Sequence, residues 1–240
     1  MSSLAHRIHA RYFRDWEHPY KTFEAEVERH LEPASVLLDA GCGRSAPVLA
    51  RFRGKAARLI GIDAVEPVGD LDGIEYYQRN LTDTGLPDAS VDLIMARSVV
   101  EHLDDPAATY AEFARVLKPG GRFVFLTANL WDYASLIAAV VPNRFHPWIV
   151  AHTEGRKEHD TFPTRYRSNT RRSITRFARA TGFDVERFAY LGQHPRYLQF
   201  NGVLYAIGSL YEKTIAAVPS LHWLRGWILC TLRKGPGAGR

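Results

Sequence analysis

Val36-Leu37-Leu38-Asp39-Ala40-Gly41-Cys42-Gly43-Arg44-Ser45 is the stretch of this 240-residue chain that decides its fold. The first three residues are apolar and predict a short strand buried on both faces. The strand ends in an acid, Asp39, and Gly41 and Gly43 then allow a tight turn. Residues 47–52 predict a helix, whose first N–H groups would face a ligand together with those of the turn. This order of elements predicts a nucleotide-type cofactor site.

The glycine turn by itself leaves two cofactor classes open. Gly41-x-Gly43-x-x-Ala46 also fits the looser form of the dinucleotide fingerprint, which is a weak signal on its own. A dinucleotide site must admit a pyrophosphate, and the carboxylate of Asp39 would repel it. An acid at this position suits a cationic ligand such as S-adenosylmethionine, which carries an ammonium and a sulfonium group. A turn that binds no ligand is the remaining interpretation of this segment.

Further strand-like segments follow the turn in a fixed order. Residues 58–63 end in Asp63, about twenty residues after the turn, where a ribose-binding carboxylate is expected. Residues 74–81 predict a third strand, and residues 86–96 predict a turn into a fourth. An alanine-rich pattern over residues 106–117 predicts a helix, which Pro119-Gly120-Gly121 would end before a fifth strand. The ordered series is more specific than any one of its members.

From Leu31 to Ala128 this series resembles the class I S-adenosylmethionine-dependent methyltransferases, in particular the methyltransferase type 11 family. The first motif of these enzymes is acid-x-Gly-x-Gly-x-Gly, and Ser45 replaces its third glycine here. The resemblance implies an α/β, Rossmann-like fold with a mostly parallel seven-stranded sheet, helices on both faces and an antiparallel last strand. It also implies S-adenosyl-L-methionine as the cofactor and requires no metal.

The resemblance places the cofactor at the ends of the first four strands. Asp39 would lie near its ammonium group, the turn backbone would contact its methionine part, and Asp63 would accept both ribose hydroxyls. The adenine would lie at Asn80 and Leu81. The expected cofactor-binding residues are Asp39, Gly41, Cys42, Gly43, Asp63, Ala64, Asn80, Leu81 and Arg97.

Methyl transfer to a hydroxyl group requires that its proton be removed. His102 is a candidate base because it follows Glu101 just beyond the fourth strand. His159 and Tyr166 are competing candidates, since they belong to a segment that is placed to meet the acceptor. A structural role is the alternative for each of these three catalytic candidates.

The length suits a single methyltransferase domain over residues 1–240, with three additions to its core. Residues 1–34 predict a helical cover, residues 130–169 a cap insertion, and residues 192–225 a helical insertion before the last strand. Apolar residues recur at helical spacing in the last insertion, at Val203, Leu204, Ile207, Leu210, Tyr211 and Ile215. Packing into the core is the expected use of this stripe, and contact with a membrane surface is the alternative.

Composition and charge restrict the location and the partners of the protein. Residues 1–150 hold 16 Lys and Arg against 20 Asp and Glu, whereas residues 151–240 hold 15 against 6. The basic part could attract a phosphorylated substrate or anionic lipid, but no RNA-binding module accompanies it, and we expect no nucleic-acid partner. Cys42 and Cys230 cannot build a disulfide framework. With no apolar run that could span a bilayer, we expect a cytoplasmic protein, with peripheral membrane contact as the alternative.

The sequence therefore predicts an S-adenosylmethionine-dependent methyltransferase that acts on a small-molecule or a lipid- or glycan-linked acceptor, at oxygen. The first alternative is a noncatalytic S-adenosylmethionine-binding protein with a basic surface for a partner or membrane. The second is an NAD-dependent oxidoreductase, which Asp39 disfavours. The oligomeric state is left open.

Overall fold

The computed structural model describes residues 2–133, 135–136 and 162–236 of the chain. The chain divides into two compact units. The first, which we call the sheet unit, comprises Tyr20–Thr127, Thr164–Ala189 and Leu229–Arg240. The second, the insertion unit, comprises Met1–Pro19, Ala128–Pro163 and Tyr190–Ile228. The proposed division into one domain with three additions stays a prediction, and most of the cap insertion lies outside the described residues.

One seven-stranded sheet organises the fold. Its strands are β1 (Val36–Ala40), β2 (Arg58–Asp63), β3 (Glu75–Gln78), β4 (Val91–Arg97), β5 (Leu117–Ala128), β6 (Phe183–Leu191) and β7 (Trp227–Lys234). They lie in the order β3-β2-β1-β4-β5-β7-β6, with β1 to β5 parallel and the last strands antiparallel. The predicted fold class is confirmed. Parallel pairing brings the carboxyl ends of β1, β2 and β4 to one edge, where ligands bind in open α/β sheets.

The described helices are α1 (Ser3–Tyr12), α2 (Pro19–Arg29), α3 (Pro106–Val116), α4 (Arg171–Ala180) and α5 (Gly202–Ala217). Each cap follows from local sequence chemistry. Asp105 begins α3 by accepting a hydrogen bond from the amide of Ala108 at 3.0 Å. Thr170 and Ser173 form a reciprocal capping box at the start of α4. Both caps satisfy amides that the first helical turn leaves without partners.

The core of the sheet unit is built from continuous apolar strands. All five residues of β1 are buried, and so are the last five of β2. Aromatic rings from α3 and β5 pack beside them, with the centroids of Phe113 and Phe123 4.8 Å apart. Such edge-to-face pairs stabilise a core beyond the area that they bury.

Glu26 ties α2 to the last two strands. Its buried carboxylate accepts a hydrogen bond from the Thr231 hydroxyl at 2.9 Å and pairs with Arg187. Burial acts to raise the pKa of Glu26, but the Thr231 hydrogen bond and the Arg187 charge outweigh it and hold that pKa below its usual value. The second N-terminal helix is therefore anchored through a charged group within the sheet unit.

In the insertion unit, α1 packs against α5. The Ser2 amide donates to the Gln199 carbonyl at 3.0 Å, and Asn201 caps the start of α5. Gly202 permits the close approach, because a Cβ there would lie 2.7 Å from the Cβ of Leu4. None of the helices among the described residues is both long enough and apolar enough to cross a membrane.

Three local predictions are wrong. Residues 47–52 form only a four-residue 3-10 helix, Leu49–Phe52, which ends at Arg53 because the backbone there is extended (φ −55°, ψ +133°). Pro119-Gly120-Gly121 does not separate α3 from β5, since β5 starts at Leu117 and runs through it. At Gly121 a Cβ would lie 2.9 Å from the carbonyl oxygen of Lys118, so the strand backbone packs where a side chain cannot fit.

The third error concerns the stripe on α5, for which core packing is the expectation. Ile215 is buried, but four other members of the stripe are among the exposed large hydrophobic side chains: Val203, Leu204, Ile207 and Leu210. The buried face of α5 is the other one, because Tyr205 and Glu212 lie there.

Candidate cofactor-binding site

The glycine turn after β1 has one packed side and one open side. Gly41 and Gly43 have φ values of +79° and +71°, a conformation that favours glycine. The amides of Gly41 and Cys42 donate to the carbonyl of Ile62 in β2, at 2.8 and 3.2 Å. A Cβ at Gly41 would lie 2.3 Å from Cγ2 of Val99, whereas a Cβ at Gly43 would meet nothing within 4 Å. The turn is therefore locked against the protein on one side and has room for a ligand on the other.

Asp39 places a buried carboxyl group beside this turn. Its side chain is 3% exposed, and its Oδ2 atom has no hydrogen-bond partner. Burial raises the pKa of Asp39 to about 7; the charge of Arg97 acts in the opposite direction, and that of Asp63 adds to the rise. A buried carboxylate oxygen without a hydrogen-bond partner is costly, so the site favours a cationic group that supplies a donor. The ammonium group of S-adenosylmethionine has the required charge and hydrogen-bond donors.

Asp63 connects the end of β2 to the turn. Its buried Oδ2 accepts a hydrogen bond from the Gly43 amide at 2.7 Å, and its Oδ1 accepts one from the Val65 amide at 3.3 Å. Each oxygen of a carboxylate can accept more than one hydrogen bond. The predicted contact with two ribose hydroxyls is compatible with this arrangement and stays a prediction.

The predicted adenine position lies after β3. Asn80 is exposed, and its Oδ1 accepts hydrogen bonds from the amide and the hydroxyl of Thr82, both at 3.0 Å. Leu81 is half-buried, and Ala64 is exposed at the end of β2. A shallow surface pocket of about 500 Å³ is lined by Arg79, Asn80, Asp83 and Gly85. The side chain of Asn80 lines this pocket, and its contact with the adenine stays a prediction.

Arg97 lies at the end of β4 and is held by α2. Its guanidinium group lies 4.2 Å from the centroid of the Tyr20 ring and 3.5 Å from a carboxylate oxygen of Glu24. The charge of Arg97 acts to lower the pKa of the Asp39 carboxyl group. Arg97 therefore tunes the site electrostatically, while Tyr20 and Glu24 position it.

Ser98 is a site feature that the sequence interpretation misses. Its φ is +57°, an uncommon conformation for a residue other than glycine, and its buried Oγ has no hydrogen-bond partner. The Ser98 amide donates to the carbonyl of Leu126 at 2.9 Å and so holds the residue beside the end of β5. No hydrophobic period marks such a position, so only the backbone geometry identifies it.

Two of the three catalytic candidates, His102 and Tyr166, lie next to the carbonyl group of Glu101. His102 is half-buried in a short 3-10 helix after β4, Val100–His102. The Tyr166 amide donates to the carbonyl of Glu101 at 3.1 Å, and Tyr166 has a strained φ of +51°. The structure therefore brings the backbones of His102 and Tyr166 together within the sheet unit. His159, the third candidate, lies outside the described residues.

Glu101, the residue before His102, is held by a hydrogen-bond network. Its buried carboxylate accepts a hydrogen bond from the Thr127 hydroxyl at 2.6 Å, and that hydroxyl accepts one from the Asn169 side-chain Nδ2 at 2.8 Å. Burial raises the pKa of Glu101, while the Thr127 hydrogen bond and the charge of His102 act to lower it. This network fixes the segment before α4 to the ends of β4 and β5.

Cys42 is a buried free thiol, and burial raises its pKa, which makes it a poor nucleophile. No group of three or more metal-ligating side chains occurs in the part of the chain that the structure describes.

Known proteins share the segment that carries this site. Residues 38–125 match the family model described as "Methyltransferase domain". A "Probable S-adenosylmethionine-dependent methyltransferase" of Mycolicibacterium smegmatis is 38% identical over 100 residues, which cover 39% of this chain and 38% of that protein. A ubiquinone biosynthesis O-methyltransferase of Hahella chejuensis is 31% identical over 139 residues, which cover 50% of this chain and 58% of that protein. The chain therefore spans less than two thirds of the length of these relatives.

A solved structure extends the likeness to the whole fold. The S-adenosylmethionine-dependent methyltransferase from Mesorhizobium loti aligns with a TM-score of 0.57, covering 92% of this chain and 99% of that one. The sequence identity is 18%, so this likeness shows the fold alone.

Proposed function

Since this chain carries a class I S-adenosylmethionine-dependent methyltransferase domain, with S-adenosylmethionine as its cofactor, we propose that it methylates an oxygen atom of a small-molecule or a lipid- or glycan-linked acceptor. The observation that carries the cofactor assignment is the unpartnered Oδ2 of Asp39, two residues before a glycine turn that has open space at Gly43. The match to an O-methyltransferase of ubiquinone biosynthesis supports oxygen as the methylated atom.

Each residue of the site binds a different part of the cofactor. Asp39 binds the ammonium group, the backbone of the glycine turn contacts the methionine part, and Asp63 accepts hydrogen bonds from the ribose. Asn80 and Leu81 hold the adenine. When bound, S-adenosylmethionine supplies a methyl group on a sulfonium, which is an excellent leaving group. The protein therefore has mainly to align the acceptor oxygen, exclude water and take up one proton.

His102 is the residue that we propose takes up the proton of the acceptor hydroxyl. It lies directly after β4, at the sheet edge that the cofactor residues share. The Glu101 carbonyl, which receives the amides of Arg165 and Tyr166 at 2.7 and 3.1 Å, fixes the backbone on which His102 is carried. Tyr166 would then position the acceptor, because its backbone is held at the same carbonyl.

Calorimetric titration with S-adenosylmethionine and with NAD⁺, followed by a methyl-transfer assay, tests the proposal. We expect binding of S-adenosylmethionine alone and, with a labelled methyl group, transfer from it to an acceptor in metabolite or lipid extracts. Hydrolysis and mass spectrometry of the product then identify the methylated atom. Binding without transfer to any fraction would favour a noncatalytic S-adenosylmethionine-binding protein, and binding of NAD⁺ instead would refute the proposal.

The role of His102 is tested separately with His102→Gln and Tyr166→Phe. If His102 is the base, His102→Gln should lower kcat by about 100-fold or more without changing the affinity for S-adenosylmethionine. Tyr166→Phe should raise KM for the acceptor and leave most of kcat. An unchanged kcat in His102→Gln would remove the histidine from the mechanism.

A further inference from the structure

Helix α5 in the insertion unit presents its apolar side to the outside. Val203, Ile207 and Leu210 follow one another at helical spacing and are 63%, 61% and 70% exposed. Phe200, just before the helix, is 64% exposed, and Leu204 is 40% exposed. Together these five residues form a continuous stripe along one side of the helix, which we call the α5 stripe.

The opposite side of α5 is buried but partly polar. The buried residues of the helix are Tyr205, Gly208, Ser209, Glu212 and Ile215. An ordinary surface helix buries its aliphatic side and exposes its polar one. Large exposed apolar patches on soluble proteins mark sites of contact with another protein or with a membrane. No described residue covers the α5 stripe, so its reversed arrangement marks it as a candidate contact surface.

The charges of the insertion unit indicate which partner. Helix α1, which packs against α5, contains Arg7 and Arg11 and no acidic residue. The exposed Lys, Arg, Asp and Glu side chains among the described residues of this unit are Arg7, Arg11, Arg14, Asp15, Glu17, Arg196 and Lys213. Cations thus outnumber anions by five to two in that set. A unit that combines an exposed apolar stripe with an excess of exposed basic side chains complements a surface that is apolar inside and anionic outside.

We propose that the α5 stripe inserts into the interfacial region of an anionic phospholipid bilayer, with the basic side chains of the insertion unit close to the headgroups. The helix then lies in the plane of the membrane surface and buries Ile207 and Leu210 at the boundary of the acyl chains. This function of the insertion unit is independent of which atom the sheet unit methylates.

Vesicle sedimentation of the full chain tests this inference. The vesicles consist of phosphatidylcholine either alone or mixed with phosphatidylglycerol, and neither methyl donor nor acceptor is added. We expect the wild-type protein to sediment with the anionic vesicles and to be released as the salt concentration rises. Ile207→Ser combined with Leu210→Ser should lower the partition coefficient by about tenfold or more. Arg7→Gln combined with Arg11→Gln should lower binding to the anionic vesicles and weaken its dependence on salt.

Val68→Ser is the matched control, because Val68 is 57% exposed and belongs to the sheet unit. This variant should bind vesicles like the wild-type protein, and a retained melting temperature in every variant shows that folding is intact. Wild-type binding by the Ile207→Ser, Leu210→Ser protein would overturn the proposal, as would failure of the wild-type protein to bind. A wild-type dimer that this double variant converts to a monomer, without vesicle binding by either protein, would assign the stripe to a second copy instead. None of these outcomes depends on methyl transfer, so the proposed function is judged separately.

Discussion

Replacing Asp39 by Asn should weaken cofactor binding and at the same time stabilise the ligand-free protein. The Asp39 carboxylate is 3% exposed and has one oxygen without a hydrogen-bond partner. Asn has the same shape but carries no charge, so it avoids the cost of ionising a buried group. It also removes the charge that we assign to the ammonium group of the cofactor. A residue kept for binding at the expense of stability should show both effects.

The stability effect follows from the pKa of Asp39, which burial raises from 3.8 to about 7. Because the pKa of Asp39 is raised in the folded state, the wild-type free energy of unfolding is highest below pH 4. It decreases as the pH rises towards 7 and the buried carboxyl group ionises. At about 1.4 kcal/mol per pH unit, the loss reaches at most about 4 kcal/mol. The asparagine side chain does not ionise, so the free energy of unfolding of Asp39→Asn does not decrease in this range. The variant should therefore exceed the wild type in stability only slightly at pH 4 and most at pH 7 and above. For a chain of this length, each kcal/mol raises Tm by about 2–4 °C.

The binding effect follows from the hydrogen bond that the ligand loses. A hydrogen bond to a charged group contributes about 1.5–3 kcal/mol. Since about 1.4 kcal/mol corresponds to a tenfold change in Kd, Asp39→Asn should weaken binding of S-adenosylmethionine about 10- to 100-fold. Ionised Asp39 is the form that pairs with the ammonium group. Wild-type binding should therefore release a proton near pH 6, which makes the calorimetric heat depend on the ionisation enthalpy of the buffer.

Asp92→Asn is the matched control for the Asp39 variant. Asp92 lies in β4, its Oδ2 accepts a hydrogen bond from the Val36 amide at 2.9 Å, and it forms an ion pair with Lys118 at 2.8 Å. Loss of these contacts should lower Tm and leave Kd unchanged. Isothermal titration and thermal unfolding from pH 4 to 8 measure both quantities. The reasoning about Asp39 is refuted if Asp39→Asn lowers Tm at pH 8 or binds S-adenosylmethionine as tightly as the wild type.

The glycine turn and two titratable side chains of the insertion unit give three more expected outcomes. Gly41→Ala should lower the free energy of unfolding, measured in urea, by about 2–5 kcal/mol, because the new Cβ would lie 2.3 Å from Val99 and the residue has a φ of +79°. Gly43→Ala should lower it by only about 1–2 kcal/mol, because a Cβ there meets open space. Equal costs would contradict the packing argument. Burial raises the pKa of Glu212 to about 8, so Glu212→Gln should raise Tm most at pH 8 and above. A lower Tm of the variant at that pH would show instead that the Glu212 charge stabilises the fold. Burial lowers the pKa of His194 to about 4, so wild-type Tm should fall as the pH drops from about 6.5 towards 4. His194→Gln should flatten that part of the curve, and parallel Tm curves would exclude His194 as the cause.

Buried strands are the part of the fold that the sequence predicts best. The predicted bounds of β2 agree with the structure, Arg58–Asp63. A local signal marks its end, because Asp63 closes an apolar run. The helix predicted over residues 47–52 fails because its pattern is too short to distinguish an α-helix from one 3-10 turn.

The sequence predicts those parts of the cofactor site whose residues lie close together along the chain. Asp39 and the glycines share one turn, so their spacing alone indicates that they work together. The placement of Arg97 between Tyr20 and Glu24 depends on packing between α2 and the end of β4. Ser98 depends on a strained backbone that β5 holds in place. Neither feature leaves a periodic or compositional signal, so a single sequence does not indicate them.

The same distinction explains why α5 is predicted as a helix but with the wrong side buried. A stripe at a period of 3.6 residues shows that the apolar side chains share one side, but it does not show what covers that side. The expectation of core packing assumes that the protein itself provides the cover. The structure places Glu212 and Tyr205 inside and Ile207 and Leu210 outside, so the described residues of the protein do not cover this side. The amphipathic pattern is thus as strong for a membrane-facing helix as for a core helix, and only the burial of its polar side tells them apart.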